Sequence, residues 1–546
     1  MPATAPASTC LALAPVLILD CQATGAAPGQ GHLLEVGWQA LGPSPGPVEA
    51  SLVRLPRGAR VPRKVAELTG LRDADLRHAP RAQEVWARLL EAAAAAFGLG
   101  PATAVVHHAA LEVRFLTDLA ARTGTPFPFT VVDTHRIARR LLPDLPRCGL
   151  RALAGFLGHP VGPERRAAQH VRATEAIWRC LLEALLARGV RTRAELERWL
   201  GERARPPAGA ARSWPMPRAR RLAAPEEPGV YRFLRSDGSV LYVGKAASLK
   251  RRVNGHFRRR RRIDERALEM LTQARSLDVT VTATETEAAL LEADEIKRLT
   301  PAYNVQLRDG SVAFLDAALR EAVPDADRAH PVGPVRDPDV LLVVPRLVAA
   351  MRGGPGPVLA VGGRWAPPAP IEADGLAELR RRHGPIDTLD AALGLARRLG
   401  PPPLADEEGS DGRAEGWTPE EVCASLEDRL REALLALRRA RWLLRLVEAS
   451  VAWRERTSRR LLEVRRAQVA GVRWLEDGEP VPPPPGAGAR AAGRRAALAT
   501  RAPYDRLRIL TTELRRLAAA GASPEVHLGR RAVVRGPALA RLLRSV

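Results

Sequence analysis

Two short apolar runs, Val230 to Leu234 and Val240 to Val243, flank Ser236-Asp237-Gly238-Ser239. Asp-Gly between apolar runs specifies a tight β-hairpin, because Gly accepts the positive φ the turn needs. The hairpin puts Tyr231 and Tyr242 on adjacent antiparallel strands, with both side chains directed toward one face. Lys245 follows the second strand. Ser248 to Phe257 reads as a helix carrying Arg251 and Arg252, and Leu277 to Ala283 as a third strand. Thr284 with Glu287 three residues on is a capping box, so a helix begins at Glu285, carries Glu292 and ends at Pro301. Composition singles out the same stretch. The chain has 80 Arg but four Lys, four Tyr and two Asn. Lys245, Lys250, Lys297, Tyr231, Tyr242, Tyr303, Asn254 and Asn304 all lie between Pro228 and Asp309.

The segments Pro228-Gly229-Val230-Tyr231, Leu241-Tyr242-Val243-Gly244-Lys245, Leu249-Lys250-Arg251-Arg252-Val253 and Pro301-Ala302-Tyr303-Asn304 resemble the GIY-YIG nuclease family. The closest likeness is to the N-terminal nuclease half of the excision-repair subunit UvrC, over Leu222 to Asp309. The resemblance implies a small α/β domain with an antiparallel sheet that cuts DNA with one Mg²⁺ (or Mn²⁺). It implies a site of Tyr231, Tyr242, Lys245, Arg252, His256, Glu292 and Asn304. Glu292 matches the single metal-binding glutamate, and Asn304 an asparagine of structural role. His256 stands where UvrC-type sequences usually carry a further tyrosine. The chemistry agrees with these residue types. One carboxylate with several waters suits magnesium, and a guanidinium donates to nonbridging phosphate oxygens. A phenol with a free pKa near 10 needs a nearby cation to act as a base. Tyr242 or Tyr231 would take that part, helped by Lys245 and the metal.

The net charge of +23 and pI of about 11.1 point to a polyanionic partner. Arg251 and the run Arg258, Arg259, Arg260, Arg261 and Arg262 are the candidate DNA contacts, since phosphate contacts dominate such affinity. Five scattered cysteines without CxxC spacing indicate neither a zinc knuckle nor a disulfide framework. The first residues lack a basic leader, and no apolar run is long enough to span a bilayer. A reduced, cytoplasmic protein without membrane association is expected.

Before the central stretch, Pro15 to Asp20, Leu33 to Leu41, Val48 to Val53, Ala104 to Val106 and Thr130 to Thr134 read as strands. Gln83 to Ala95, Ala109 to Arg122, Arg136 to Leu142, Leu150 to Leu157 and Ala167 to Ala187 read as helices. This pattern predicts an α/β layer with a mixed sheet. Leu19-Asp20-Cys21-Gln22-Ala23-Thr24-Gly25, Val106-His107-His108-Ala109-Ala110-Leu111-Glu112 and Arg165 to Thr174 resemble, in order, the three motifs of the DEDD exonucleases. That family includes the proofreading subunit of bacterial replicase. The likeness implies an RNase H-like fold over Pro15 to Leu186. The family's four carboxylates and histidine base are mostly replaced. Asp20 remains, Gln22 stands for an acid, Glu112 for an aspartate, His170 for the last acid and Arg165 for the base. A neutral amide offsets no cation charge, and arginine accepts no proton. A degenerate exonuclease site is expected, with His107 and His108 as ordinary histidines.

The domains read from sequence are therefore 1–200 exonuclease-like, 201–224 a basic linker, 225–310 GIY-YIG, 311–416 a mixed region, and 417–546 a mostly helical region. In the last two, Asp339 to Met351 and Leu376 to Arg382 read as helices and Val358 to Val361 as a strand. Pro401 to Gly416 reads as a loop and Pro482 to Gly488 as a tether. A long helix starts at Thr418-Pro419 and runs to about Ser450, its apolar pattern continuing through Trp453 and Leu461. Tyr504 to Ala518 reads as a helix and Val526 to Val534 as a short strand pair. The expected function is metal-dependent DNA incision in nucleotide excision repair, with a damage-recognition or helicase partner. A chain with both nucleases active and a non-catalytic DNA-binding scaffold are the alternatives.

Overall fold

The computed structural model describes residues 10–12, 14–42, 45–98, 102–162, 164–202, 214–258, 264–304, 312–324, 327–353, 373–400, 418–484, 491–529 and 532–546. They divide into two compact units, one of Met1–Ala283 with Leu299–Asn304 and one of Thr284–Arg298 with Val305–Val546. The strand read at Val358 to Val361 and the loop at Pro401 to Gly416 lie outside the described residues, as do Arg259 to Arg262 and most of Pro482 to Gly488.

In the first unit, β1 (Val16–Ala23), β2 (Leu33–Leu41), β3 (Glu49–Leu52), β4 (Ala102–Val106) and β5 (Phe129–Asp133) form a sheet in the order β3-β2-β1-β4-β5. Pairs β1–β2 and β2–β3 are antiparallel, and β1–β4 and β4–β5 parallel, which is the mixed sheet expected. Central β1 is buried on both faces, so it reads as an unbroken apolar run. Its pleat feeds two cores: Val16 and Ile18 enter one, Leu17, Leu19 and Cys21 the other.

The same unit holds a three-stranded antiparallel sheet, β6 (Gly229–Leu234), β7 (Val240–Ala246) and β8 (Ser276–Val281), in the order β7-β6-β8. Asp237 accepts from the Ser239 N–H at 2.9 Å, and Gly238 has φ of 81°, as the hairpin reading required. The helix Leu249–His256 starts at Ser248, whose hydroxyl accepts from the Arg251 N–H. Met216 is fully buried in this core and Trp214 packs on it. The sequence placed both in the 201–224 linker. Two apolar side chains in a Pro- and Arg-rich stretch leave no periodic signal, so the domain starts earlier than that reading.

Within this unit, helix Leu150–Phe156 of the mixed-sheet domain packs on helix Glu265–Gln273 of the hairpin domain. Arg151 pairs with Glu269 at 3.2 Å, and the Arg275 guanidinium lies 3.8 Å from the Phe156 ring centre. A Cβ on Gly155 would fall 1.9 Å from Gln273 Oε1.

In the second unit, β9 (Ala313–Leu315), β10 (Ala322–Val323) and β11 (Val332–Val335) form a small sheet. Its residues share a core with helices Asp339–Met351, Ala373–His383 and Leu389–Leu399 and the first half of helix Pro419–Leu446. The second half of that helix enters a different core through Trp442, Leu443 and Leu446. There it meets β12 (Ala449–Glu455), β13 (Ser458–Arg465), β14 (Gln468–Leu475), β15 (Glu525–His527) and β16 (Val533–Arg535), in the order β14-β13-β12-β15-β16, with helices Arg501–Ala519 and Gly536–Arg544. The long helix stops at Leu446, and Trp453 and Leu461 lie on strands. The apolar period shortens to two at Val451 and Trp453, a change too brief to stand out in an Ala-, Leu- and Arg-rich sequence. Helix Glu285–Leu299 joins this unit up to Arg298. Among the described residues no helix is long and apolar enough to cross a membrane.

Gln273 cannot swing aside cheaply. It is fully buried and bonded to Arg235, Glu269 and Tyr303. Gly155→Ala is therefore expected to cost about 1–3 kcal/mol in denaturant unfolding, with partial recovery when Gln273→Ala is added.

Candidate active site

The register pairs Tyr231 with Gly244 and Phe233 with Tyr242, so both phenols rise from one sheet face. Their rings are 6.0 Å apart between centres, at 42°. The Tyr231 hydroxyl and His256 Nε2 are hydrogen-bonded at 2.7 Å, and the imidazole lies edge-on to Tyr242. Arg252, one turn earlier on the same helix, hydrogen-bonds to both phenol oxygens. The Tyr231 oxygen, above all, holds this guanidinium above its ordinary range. Tyr231 is fully buried and Tyr242 half-buried. A Cβ on Gly244 would fall 2.5 Å from the Tyr231 hydroxyl, so only glycine lets that ring lie across β7.

Asn304 braces this face. Its Oδ1 accepts from the Val243 N–H and its Nδ2 donates to the Val243 carbonyl, each at 2.9 Å. Lys245 is exposed near the end of β7, and Arg251 and Arg258 are exposed around the neighbouring helix. The structure thus gathers Tyr231, Tyr242, Arg252 and His256 above Asn304.

Glu292 is half-buried on helix Glu285–Leu299, in the second unit. The expected capping box is present: the Thr284 hydroxyl accepts from the Glu287 N–H and donates to its carboxylate at 3.0 Å. Within that unit the helix is clamped by Glu287–Arg460 at 2.8 Å, Asp294–Arg506 at 2.6 Å and Lys297–Asp505 at 2.6 Å. Glu287, Leu290, Asp294 and Lys297 recur at three- and four-residue steps and so line one face. Glu292 falls roughly 140–160° round the helix from Glu287 and Asp294. Sequence reasoning missed Arg460, Asp505 and Arg506, because pairs this far apart in the chain leave no local pattern.

In the mixed-sheet domain, Asp20, Gln22 and His170 converge. Gln22 Nε2 donates to Asp20 Oδ2 at 2.6 Å, and His170 Nδ1 lies 3.1 Å from Asp20 Oδ1. Glu112 is buried beside them, and burial first, then the Asp20 charge, push its carboxyl up to about 9. Arg165 is exposed, its backbone N–H bonded to the Leu68 carbonyl. Both ring nitrogens of His107 are used, on Thr134 Oγ1 and the Cys148 carbonyl, and burial lowers it to about 4. Among the described residues no group of three or more His, Cys, Asp or Glu side chains is arranged to hold a metal.

Comparison with known proteins bears on the hairpin domain directly. The family model for the UvrC-like GIY-YIG domain matches residues 227–305. Residues 227–305 are a UvrC-like GIY-YIG domain. The GIY-YIG domain of UvrC from Thermotoga maritima, solved with magnesium, is 39% identical over 16% of this chain and 94% of that one, at a TM-score of 0.15. The UvrABC system protein C of Legionella pneumophila is 54% identical over 86 residues, 16% of this chain and 14% of the relative. A putative bifunctional exonuclease/endonuclease protein of Mycobacterium tuberculosis is 34% identical over 250 residues, 45% of this chain and 36% of the relative. That match is longer than the GIY-YIG domain alone. Exonuclease X, solved in complex with 5′ overhanging duplex DNA, is 18% identical over 32% of this chain and 93% of that one, at a TM-score of 0.25. The chain therefore spans well under half of each curated relative's length.

Two outcomes follow from the geometry. Asn304→Ala leaves the Val243 N–H and C=O without their side-chain partners and should cost about 1–3 kcal/mol in chemical denaturation. Glu112, protonated in the folded state up to about pH 9, gives up its proton near 4.5 when unfolded. Stability is full below that value and falls as pH rises toward 9. Glu112→Gln removes this loss, so thermal unfolding should show the variant gaining about 4 kcal/mol over wild type between pH 5 and pH 8.

Proposed function

We propose that the chain is a divalent-metal-dependent DNA endonuclease of the GIY-YIG type, acting in nucleotide excision repair, with an exonuclease-like domain that no longer cleaves. The cluster of Tyr231, Tyr242, Arg252 and His256 within a UvrC-like domain is the observation that carries this reading. Glu292 is the metal ligand in it. A half-buried carboxylate, on the helix face turned from the clamp, suits an ion that keeps several waters. When bound, a divalent ion supplies charge neutralisation at the scissile phosphate and at the leaving oxygen.

The chain's own residues do the rest. Tyr242 is the phenol that water can reach, and so the proton acceptor. Arg252 against its oxygen favours the phenolate, and the guanidinium's other N–H groups are donors for nonbridging oxygens. His256, at the position where UvrC-type sequences usually carry a further tyrosine, fixes the Tyr231 hydroxyl. Lys245 adds a cation on the approach, and Arg251 and Arg258 to Arg262 contact backbone phosphates. The exonuclease-like slot is silent because Gln22 and His170 occupy both Asp20 oxygens and Glu112 is uncharged at neutral pH.

Cleavage of nicked, damaged and intact duplexes with Mg²⁺ or Mn²⁺ tests this. Glu292→Ala should lose roughly a hundredfold or more of the rate, while Asp20→Ala stays close to wild type. Loss of 3′-end trimming in Asp20→Ala would mean two working nucleases, and no metal-dependent cleavage by wild type would mean a scaffold.

A further inference from the structure

We propose that the C-terminal region carries a second, non-catalytic site for a phosphate group, in a cleft between helices Pro419–Leu446 and Arg501–Ala519. This site is independent of the nuclease reading above. The cleft is about 50 Å³, and Arg439, Leu443, Arg508, Thr511, Thr512 and Arg515 line it. Three arginines thus line a space of roughly one phosphate, and one of them, Arg508, has a carboxylate within ion-pair distance.

Arg439 is half-buried and has no hydrogen-bond or ion-pair partner among the described residues. Arg515 donates to the Leu543 carbonyl at 2.8 Å and to a main-chain oxygen of Val546 at 2.6 Å, which fixes its fork. Arg508 lies 3.9 Å from Asp505 Oδ1, at the edge of ion-pair distance, while Lys297 at 2.6 Å and Arg501 at 3.0 Å bind the other oxygen, so one carboxylate is shared among three cations. Burial first holds Arg439 and Arg515 below their ordinary range; Tyr504 opposes this for Arg439, and repulsion from the neighbouring arginines adds to it for both. Half-buried cations without counter-charge are costly unless an anion completes the site.

The chemistry of the lining selects the anion. The Thr511 hydroxyl is taken by Trp442 and the Leu507 carbonyl, and that of Thr512 by the Arg508 carbonyl. The guanidiniums are therefore the donors. Forks converging from two helices suit a tetrahedral phosphate better than a planar carboxylate. A nucleic-acid strand and a free phosphate compound present the same group.

The probes are inorganic pyrophosphate and a labelled single-stranded oligonucleotide, on full-length wild type, Arg439→Gln and Arg508→Gln. Arg515 is left intact because it holds the C-terminal carbonyls. Pyrophosphate should raise the unfolding temperature of wild type beyond NaCl of equal ionic strength. Each variant should weaken the apparent pyrophosphate affinity about tenfold. If a strand is the source, both variants also weaken oligonucleotide binding and lower its salt slope by about one. If free phosphate is the source, oligonucleotide binding is unchanged. No wild-type shift beyond NaCl overturns the proposal, as does a full shift retained in folded variants. The Arg508 side chain is 37% exposed, so its variant keeps the experiment decisive should Arg439→Gln not fold.

Discussion

Tyr231 stands opposite Gly244, and the arrangement of the two phenols depends on that pairing. With any larger residue at 244, a Cβ would press on the phenol at 2.5 Å. With glycine there, the hydroxyl reaches His256 at 2.7 Å and Arg252 bridges both phenols. The Asp237-Gly238 turn sets the register, and a slip of one residue would send every side chain of a strand to the other face. Asn304 then locks β7 through both polar groups of Val243. A tight turn, a missing Cβ and a side-chain brace together turn four aromatic or basic groups into one cluster.

The helix bearing Glu292 is secured by a different kind of force. Asp505 is 1% exposed and binds Lys297, while Arg506 is 9% exposed and binds Asp294. Exposed ion pairs contribute little, but removing one partner from a buried pair leaves a charge stranded. The clamp thus fixes the helix against the C-terminal core without using the face that carries Glu292. This gives the C-terminal region a structural role in holding that helix, although the region itself brings none of the GIY-YIG motif residues.

Local features were legible in the sequence. The hairpin, the Thr284 capping box, the helix Asp339–Met351 and strand Leu33–Leu41 all follow from turn chemistry or apolar period. The mixed sheet was legible because β1 is an unbroken apolar run. What depends on distant pairing was not legible. Arg460 meets Glu287 and Arg506 meets Asp294 across more than 170 residues. The strands after Leu446 were hidden because the period changes within a run of the same few residue types. At the exonuclease-like slot, the replaced acids could be read from sequence. The way Gln22 and His170 close on Asp20, and the neutral state of Glu112, needed coordinates.

The central claim is that this chain keeps one metal-binding carboxylate, on the Glu292 helix, and has lost the set around Asp20. Anomalous diffraction from crystals soaked in Mn²⁺ tests it most directly. The account predicts a peak about 2.1–2.3 Å from a Glu292 oxygen and none at Asp20. A peak bridging Asp20 and Glu112, or none at Glu292, would contradict it.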